Sequence, residues 1–361
     1  MPKNIRTLAF VLPQFHPIPE NDEWWGKGFT EWTNVTKAKP LFDGHYQPRL
    51  PTDLGFYDLR LPQARKDQAD LAKAYGIHGF CYYHYWFNGK RLLHEPIDGM
   101  LKQDDLNMPF MFCWANENWT RRWDGKEQDI LMKQNYSSED DKAHIRWLCE
   151  YVFSDKRYIR IDNKPVFIIY RHTLFPDLKK TVSIWREIAK QEFGFVDLYL
   201  CITESFGVKT NPVEFGLDAA IEFSPHAVIK NKLLTKKNTM SRRFFKKSKA
   251  PEVDYRDFKS GVENCLERNL PNYKLYRSVT PSWDNTSRKK QGWIVAKGSN
   301  PDLYFRWLKE TVSKFKPFSK EENLIFINAM NEWAEGNHLE PCIKYGRAYL
   351  EATKKALQSE T

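Results

Sequence analysis

Eight short apolar runs recur along the chain, and helical patterns separate nearly all of them. The runs are Thr7–Leu12, Gly79–Tyr85, Phe110–Ala115, Pro165–Tyr170, Leu198–Thr203, Ala219–Phe223, Tyr276–Thr280 and Leu324–Ala329. Apolar runs of this length read as strands buried on both faces. Helical spacing falls at Leu59–Tyr75, Glu95–Gln103, Glu139–Phe153, Lys179–Gln191, Tyr255–Arg268, Asp302–Lys314 and Tyr345–Gln358. The fifth crossover, around Phe206–Phe215, is short for a helix. Strands alternating with helices build a parallel sheet, and eight such units close a barrel. The sequence therefore predicts an α/β fold, a single (β/α)8 barrel over residues 1–361 with long β-to-α loops. It shows no internal repeat and no sign of a second domain.

A barrel of this kind gathers its chemistry at the C-terminal ends of the strands. The polar and aromatic residues just past each run are accordingly the candidates. After the first run come His16, Trp24, Trp25 and Glu31 on a long loop, and the second ends in His84-Tyr85-Trp86. The third leads into Asn116, Glu117 and Trp119, the fourth into Arg171, the fifth into Glu204, and the sixth contains Glu222. Trp283 and Asp284 follow the seventh, and Asn331 and Trp333 the eighth. Of the 13 Trp, eight (24, 25, 32, 86, 114, 119, 283, 333) lie at strand exits. Flat indole faces at one end of a barrel suit the stacking of sugar rings, and these residues are expected to contact a glycan.

The strongest chemical signal follows the eighth run, in Asn331-Glu332-Trp333-Ala334-Glu335-Gly336. Cleaving a glycosidic bond takes one carboxyl to protonate the leaving oxygen and a second to act at or near the anomeric centre. Glu332 and Glu335 are the candidate catalytic pair. Glu117 is a rival acid, with Glu332 then a conventional nucleophile about 5–5.5 Å from it.

E-W-A-E-G resembles the E-W-x-E-G segment of glycoside hydrolase family 99, the endo-acting α-mannosidases and mannanases. The whole chain is more similar still to the family 99-like proteins of bacterial polysaccharide clusters, labelled WbsX-type glycosyltransferases. The segments carrying that likeness are LAFVLPQFHPIPENDEWWGKGFTEWTNV, YGIHGFCYYHYWFNGKRLL, FCWANENWTRRWDG, PSWDNT and FINAMNEWAEGNHLEP. For family 99 the resemblance implies retention without a protein nucleophile: one glutamate deprotonates the substrate 2-hydroxyl, which attacks the anomeric carbon. The other protonates the leaving oxygen and later activates the acceptor. Matched by position, Glu332 takes the first role and Glu335 the second. A role in O-antigen or other surface-polysaccharide metabolism is implied, on an oligosaccharide or lipid-linked glycan. A sugar-nucleotide glycosyltransferase and a non-catalytic glycan-binding barrel are the alternatives.

Other classes find little support. The nine histidines form no H-x-H or H-E-x-x-H, so no metal is expected, and no glycine-rich phosphate loop calls for a cofactor. The six cysteines are scattered without a C-x-x-C pair, which fits a reduced, cytoplasmic setting. No run of 18 apolar residues occurs. The net charge of +10 is concentrated: Lys230–Lys249 holds nine cations and no acid, leaving the rest near neutral. The body is thus not a nucleic-acid surface. That segment also carries Leu233-Leu234 and Phe244-Phe245, and reads either as a flexible, solvated insertion or as a peripheral contact with the inner face of a membrane.

Overall fold

The computed structural model describes residues 5–121, 126–229 and 253–359. The basic segment Lys230–Lys249 lies outside the described residues. Eight strands carry the fold: β1 Arg6–Val11, β2 Gly79–Phe87, β3 Phe110–Trp114, β4 Lys164–Ile169, β5 Tyr199–Glu204, β6 Ala219–Glu222, β7 in two pieces (Leu275–Tyr276 and Ser278–Val279), and β8 Leu324–Ile327. Every neighbouring pair is parallel. The first piece of β7 bonds β6 and the second bonds β8, while β8 bonds β1. The sheet therefore closes on itself, and the fold is an α/β barrel of the (β/α)8 type.

Near-continuous apolar sequence makes these strands because both faces are covered. Leu8, Phe10, Phe112, Phe167, Ile221 and Phe326 are fully buried. Where strands begin, space is tight. A Cβ on Gly79 would lie 2.7 Å from the Pro109 carbonyl oxygen, so only glycine fits at the start of β2.

The outer layer holds α1 Pro62–Ala74, α2 Glu95–Leu101, α3 Ser138–Leu148, α4 Leu178–Phe193, α5 Phe258–Leu266, α6 Pro301–Lys314 and α7 Ala348–Gln358. Local signals set several ends. Ser137, Asp177, Asp257 and Asn300 cap the N-termini of α3, α4, α5 and α6 with their side chains. Gly194 in the left-handed region stops α4.

The fifth crossover, short for a helix, holds a single 3-10 turn, Pro212–Phe215. One expectation needs correction. The pattern starting at Tyr255 is not helical until Phe258: Val253–Asp257 is a strand, paired in parallel with Trp293–Lys297. Val253-Asp254-Tyr255-Arg256 alternates apolar and polar with period two, and the Asp257 cap starts the helix only afterwards.

At the C-terminal end of the barrel the loops are built up into walls. After β1 come the short helices Pro19–Trp25 and Glu31–Lys37, and after β3 the hairpin Trp119–Arg121 with Lys126–Met132. The Val253–Trp293 strand pair and the turn Asn285–Ser287 add a further side. No described helix is long and apolar enough to cross a membrane.

Candidate active site

The walls enclose a cavity of about 710 Å3 over the barrel's C-terminal end, within the range of sites that enclose small ligands. Its floor is the segment that follows β8. Asn331–Glu332 pairs with Asn337–His338 as a tight antiparallel hairpin, and Trp333–Glu335 forms a 3-10 turn between them. Gly336 closes the turn with φ +58°, a conformation that disfavours a side chain. A Cβ there would also fall 2.9 Å from the Arg49 guanidinium and from Asp284 Cβ.

Long-range bonds fix this turn from all sides. Asn331 Oδ1 accepts from Leu12 N at 2.7 Å, and its Nδ2 donates to Leu12 O at 3.0 Å. Ala334 N donates to Glu31 Oε1 at 2.8 Å, and Asp284 N donates to the Glu335 carbonyl at 2.7 Å. Ser287 Oγ donates to the Ala334 carbonyl at 2.6 Å. Trp333 stacks on His338 with ring centres 3.7 Å apart, and its Nε1 donates to Glu340 Oε2 at 2.6 Å. The sequence thus folds here into a rigid shelf that presents Glu332 and Glu335.

The two carboxyls sit in different surroundings. Arg288 Nη1 lies 2.6 Å from Glu335 Oε1 and 3.8 Å from Glu332 Oε2. The Glu332 side chain is 7% exposed, and its Oε2 has no hydrogen-bond partner among the described residues. Burial, reinforced by the neighbouring Glu335 charge and opposed by Arg288, pushes the Glu332 carboxyl well above the usual carboxylate range. Burial also raises Glu31, behind the turn.

Of the residues singled out from sequence, Trp25, Tyr85, Glu117, Trp119, Arg171, Trp283, Glu332 and Glu335 line this one cavity. Glu117 is ion-paired with Arg171. The others lie elsewhere. Trp24 packs edge-on against Trp119 from behind. Glu31, Asp284, Asn331 and Trp333 support the turn, and Asp284 is itself held by His45 at 2.8 Å and Gln47 at 3.0 Å. Asn116 bonds the Tyr136 hydroxyl and the Arg171 backbone. His84 and Trp86 point away from the cavity: His84 Nε2 is 3.0 Å from His144 Nε2, and Trp86 Nε1 donates to Asp140 at 2.8 Å. Glu204 is ion-paired with Arg268, and Glu222 with Arg268 and Arg277. His16 lines a separate cavity of about 220 Å3 beside Glu95.

Gln14 and Tyr170, at the exits of the first and fourth runs, also line the main cavity, whereas sequence reasoning passed over Asn21, Tyr83, Phe206 and Arg288 there. Gln14 Nε2, Asn21 Nδ2 and Trp283 Nε1 are buried donors without a partner among the described residues. Such donors fit a ligand rich in hydroxyls. Tyr83 was legible from its spacing of two from Tyr85. Arg288 was not, because Ser287-Arg288-Lys289-Lys290 looks like any solvated basic turn.

Comparison with known proteins places the fold and the family. The fold is that of the family 99 glycoside hydrolases. It superposes on an endo-α-mannosidase of that family from Bacteroides thetaiotaomicron with a TM-score of 0.60 and 14% identity, covering 98% of this chain and 97% of that one. A glycoside hydrolase-like protein superposes equally well, with a TM-score of 0.60, 14% identity, and 98% and 94% coverage. At this identity the likeness concerns the fold. Residues 7–353 match the family described as Glycosyltransferase WbsX, and the chain belongs to that family. It is also 41% identical over 351 residues to the uncharacterized protein WxcX of Xanthomonas campestris pv. campestris, in two strains. That match covers 97% of this chain and 49% of the relative, so the chain spans about half the length of the curated relatives it matches.

Proposed function

We propose that this protein cleaves or transfers a glycosidic bond with retention, using the substrate's own 2-hydroxyl as nucleophile, in the metabolism of a bacterial surface polysaccharide or its lipid-linked precursor. One observation carries the reading: a single rigid turn presents Glu332 and Glu335 in one aromatic cavity, and their environments differ. The chemistry needs a carboxylic acid and a carboxylate at the same moment. A buried carboxyl with one unbonded oxygen beside one bonded to a guanidinium supplies both. Trp25, Trp119 and Trp283 offer faces for sugar rings, and the unpartnered amide donors suit ring hydroxyls.

Glutamine at either position should lower glycoside turnover by about 100-fold to 10,000-fold, the usual share of a general acid or base. Folding, read by circular dichroism, should be kept. Wild-type turnover in either variant rejects the assignment. A substrate whose 2-hydroxyl is replaced by fluorine should not react; its capture as an ester on Glu332 would instead support a nucleophilic carboxylate with Glu117 as acid. The second reading is a sugar-nucleotide glycosyltransferase, favoured by the family's description. Release of free nucleotide on incubation with a nucleotide sugar distinguishes it.

A further inference from the structure

A second cavity lies apart from the catalytic turn, between the loop after β1 and the hairpin that β2 makes with Lys90–Leu92. It measures about 220 Å3, under a third of the 710 Å3 above Glu332 and Glu335. One short helix, Pro19–Trp25, borders both: Pro19 and Glu20 line the small cavity, Asn21 and Trp25 the large one.

Two polar groups at the small cavity are buried and unbonded. His16 is fully buried, and neither its Nδ1 nor its Nε2 has a hydrogen-bond partner among the described residues. Glu95 Oε1 stands 3.9 Å from Nε2. Burial, aided by Arg60, outweighs the pull of Glu95, Asp58 and the Pro13 carbonyl and holds the imidazole below its usual value. At neutral pH the ring is therefore neutral, with one nitrogen to donate and the other to accept. Arg91 Nε is the second such group, although Asp98 bonds both Nη atoms and the Trp147 ring centre lies 4.0 Å from the guanidinium carbon. Buried polar atoms in native proteins are rarely left unmade, and a ligand or water completes them.

The rest of the lining selects the occupant. Ile18, Leu92 and Leu93 give one apolar face, packed with Phe87 as a cluster of their own. The charges around it are already matched within the protein: Lys90 pairs with Glu20 at 2.5 Å, Arg91 and His94 with Asp98, and Glu95 with Arg60 at 3.7 Å. An anion would meet Glu20 and Glu95, and a cation Lys90 and Arg91, so charge favours neither. A neutral ring with an apolar face and a rim of hydroxyls fits every feature. Each hydroxyl both donates and accepts, as a neutral imidazole beside a guanidinium N–H and a carboxylate requires. The volume suits one such ring rather than a chain of them.

We propose that this cavity is a second carbohydrate site, which holds a single pyranose ring between His16, Arg91 and Glu95. It does not depend on the catalytic reading, because no residue lines both cavities. The ring is a free hexose or one residue of a longer glycan, and the two sources share the same recognition chemistry.

The test uses the full chain with 15N in its histidine rings, the His16 signals being assigned by their loss in His16→Leu or, should that variant fold poorly, in His16→Gln. Mannose, glucose, galactose and N-acetylglucosamine are titrated to about 50 mM, each as the free sugar and as its methyl glycoside. At least one should move the His16 signals with a Kd on the order of 1 mM, ordinary for a ligand this small. Glu95→Ala changes a half-exposed side chain, so it should keep the fold and weaken that response about tenfold. Glu335→Gln should leave the response unchanged, and a response lost with Glu335 places the sugar in the catalytic cavity and overturns the proposal. Free sugars and methyl glycosides acting alike assign a residue of a glycan, whereas response to free sugars alone assigns a monosaccharide. Thermal unfolding gives a second arm: His16 bonds nothing in the sugar-free protein, so His16→Leu should keep the wild-type midpoint while losing any rise that the sugar causes through this site. His16 signals that no sugar moves, or that only inorganic phosphate moves, overturn the proposal and leave the cavity to water or an anion.

Discussion

Glu340 shows what a single residue contributes beneath the catalytic turn. Its carboxyl accepts Tyr57 Oη at 2.8 Å, Gln68 Nε2 at 2.7 Å and Trp333 Nε1 at 2.6 Å, so it ties helix α1 to the indole between the two candidate glutamates. Burial raises it to about 7 despite those three donors. A carboxyl raised in the folded state binds its proton there while the unfolded chain has lost it. Stability from this group is therefore full below the unfolded value and falls as pH rises towards 7. The fall amounts to about 3 kcal/mol between pH 4.5 and 7, at 1.36 kcal/mol per unit. Urea unfolding at steps across that range should show the decline in wild type and a much flatter curve in Glu340→Gln, and equal slopes would assign the pH dependence to other groups. Sequence does not distinguish Glu340 from Glu335, five residues earlier, because a carboxylate's task depends on what lies across from it. Asp284 meets His45, and Glu204 meets Arg268, through partners 239 and 64 residues away. No local pattern announces such pairings, which is why acids expected at the cavity proved to be bonded elsewhere.

Strand β2 makes the same point for an element. The sequence Tyr82-Tyr83-His84-Tyr85-Trp86 marks an aromatic strand exit, but side chains alternate between the two faces of a strand. Tyr83 and Tyr85 enter the cavity, while His84 and Trp86 face α3, where both rings stack on His144. The parity follows from a pattern visible in the sequence; which parity faces inward depends on register in the closed barrel, and that is a long-range property. Trp86→Phe removes the donor to buried Asp140 and should cost about 1–3 kcal/mol, with the KM for a glycoside unchanged. Tyr85→Phe should change KM and leave the unfolding midpoint close to wild type. Calorimetry and initial rates on both variants check the split, and a KM effect from Trp86→Phe as large as that from Tyr85→Phe contradicts the assigned faces. The eight strands were legible because each is a near-continuous apolar run. The Val253–Asp257 strand was not, since five half-buried residues pair only with the distant Trp293–Lys297.

On the scale of the whole molecule, the described residues on either side of the basic segment belong to the cavity walls. Phe223 and His226 line the cavity just before the basic segment begins, and after it the chain returns as Val253–Asp257, paired with the strand whose Ile294 lines the same cavity. Lys230–Lys249 carries nine cations, no acid and two apolar pairs. Anionic lipid attracts such a segment by roughly 1 kcal/mol per cation near the surface, and apolar side chains add a second signal. A protein acting on a lipid-linked glycan needs its cavity mouth at the membrane, and a basic segment rooted beside that mouth would bring it there. Binding should therefore be stronger on vesicles containing anionic lipid than on neutral ones, and should weaken as salt shortens the range of the attraction. Deleting residues 230–249 should abolish sedimentation with anionic vesicles yet leave turnover of a small glycoside unchanged, because Glu332 and Glu335 stand on the turn after β8. Equal sedimentation of intact and deleted protein would show that these cations serve no membrane contact.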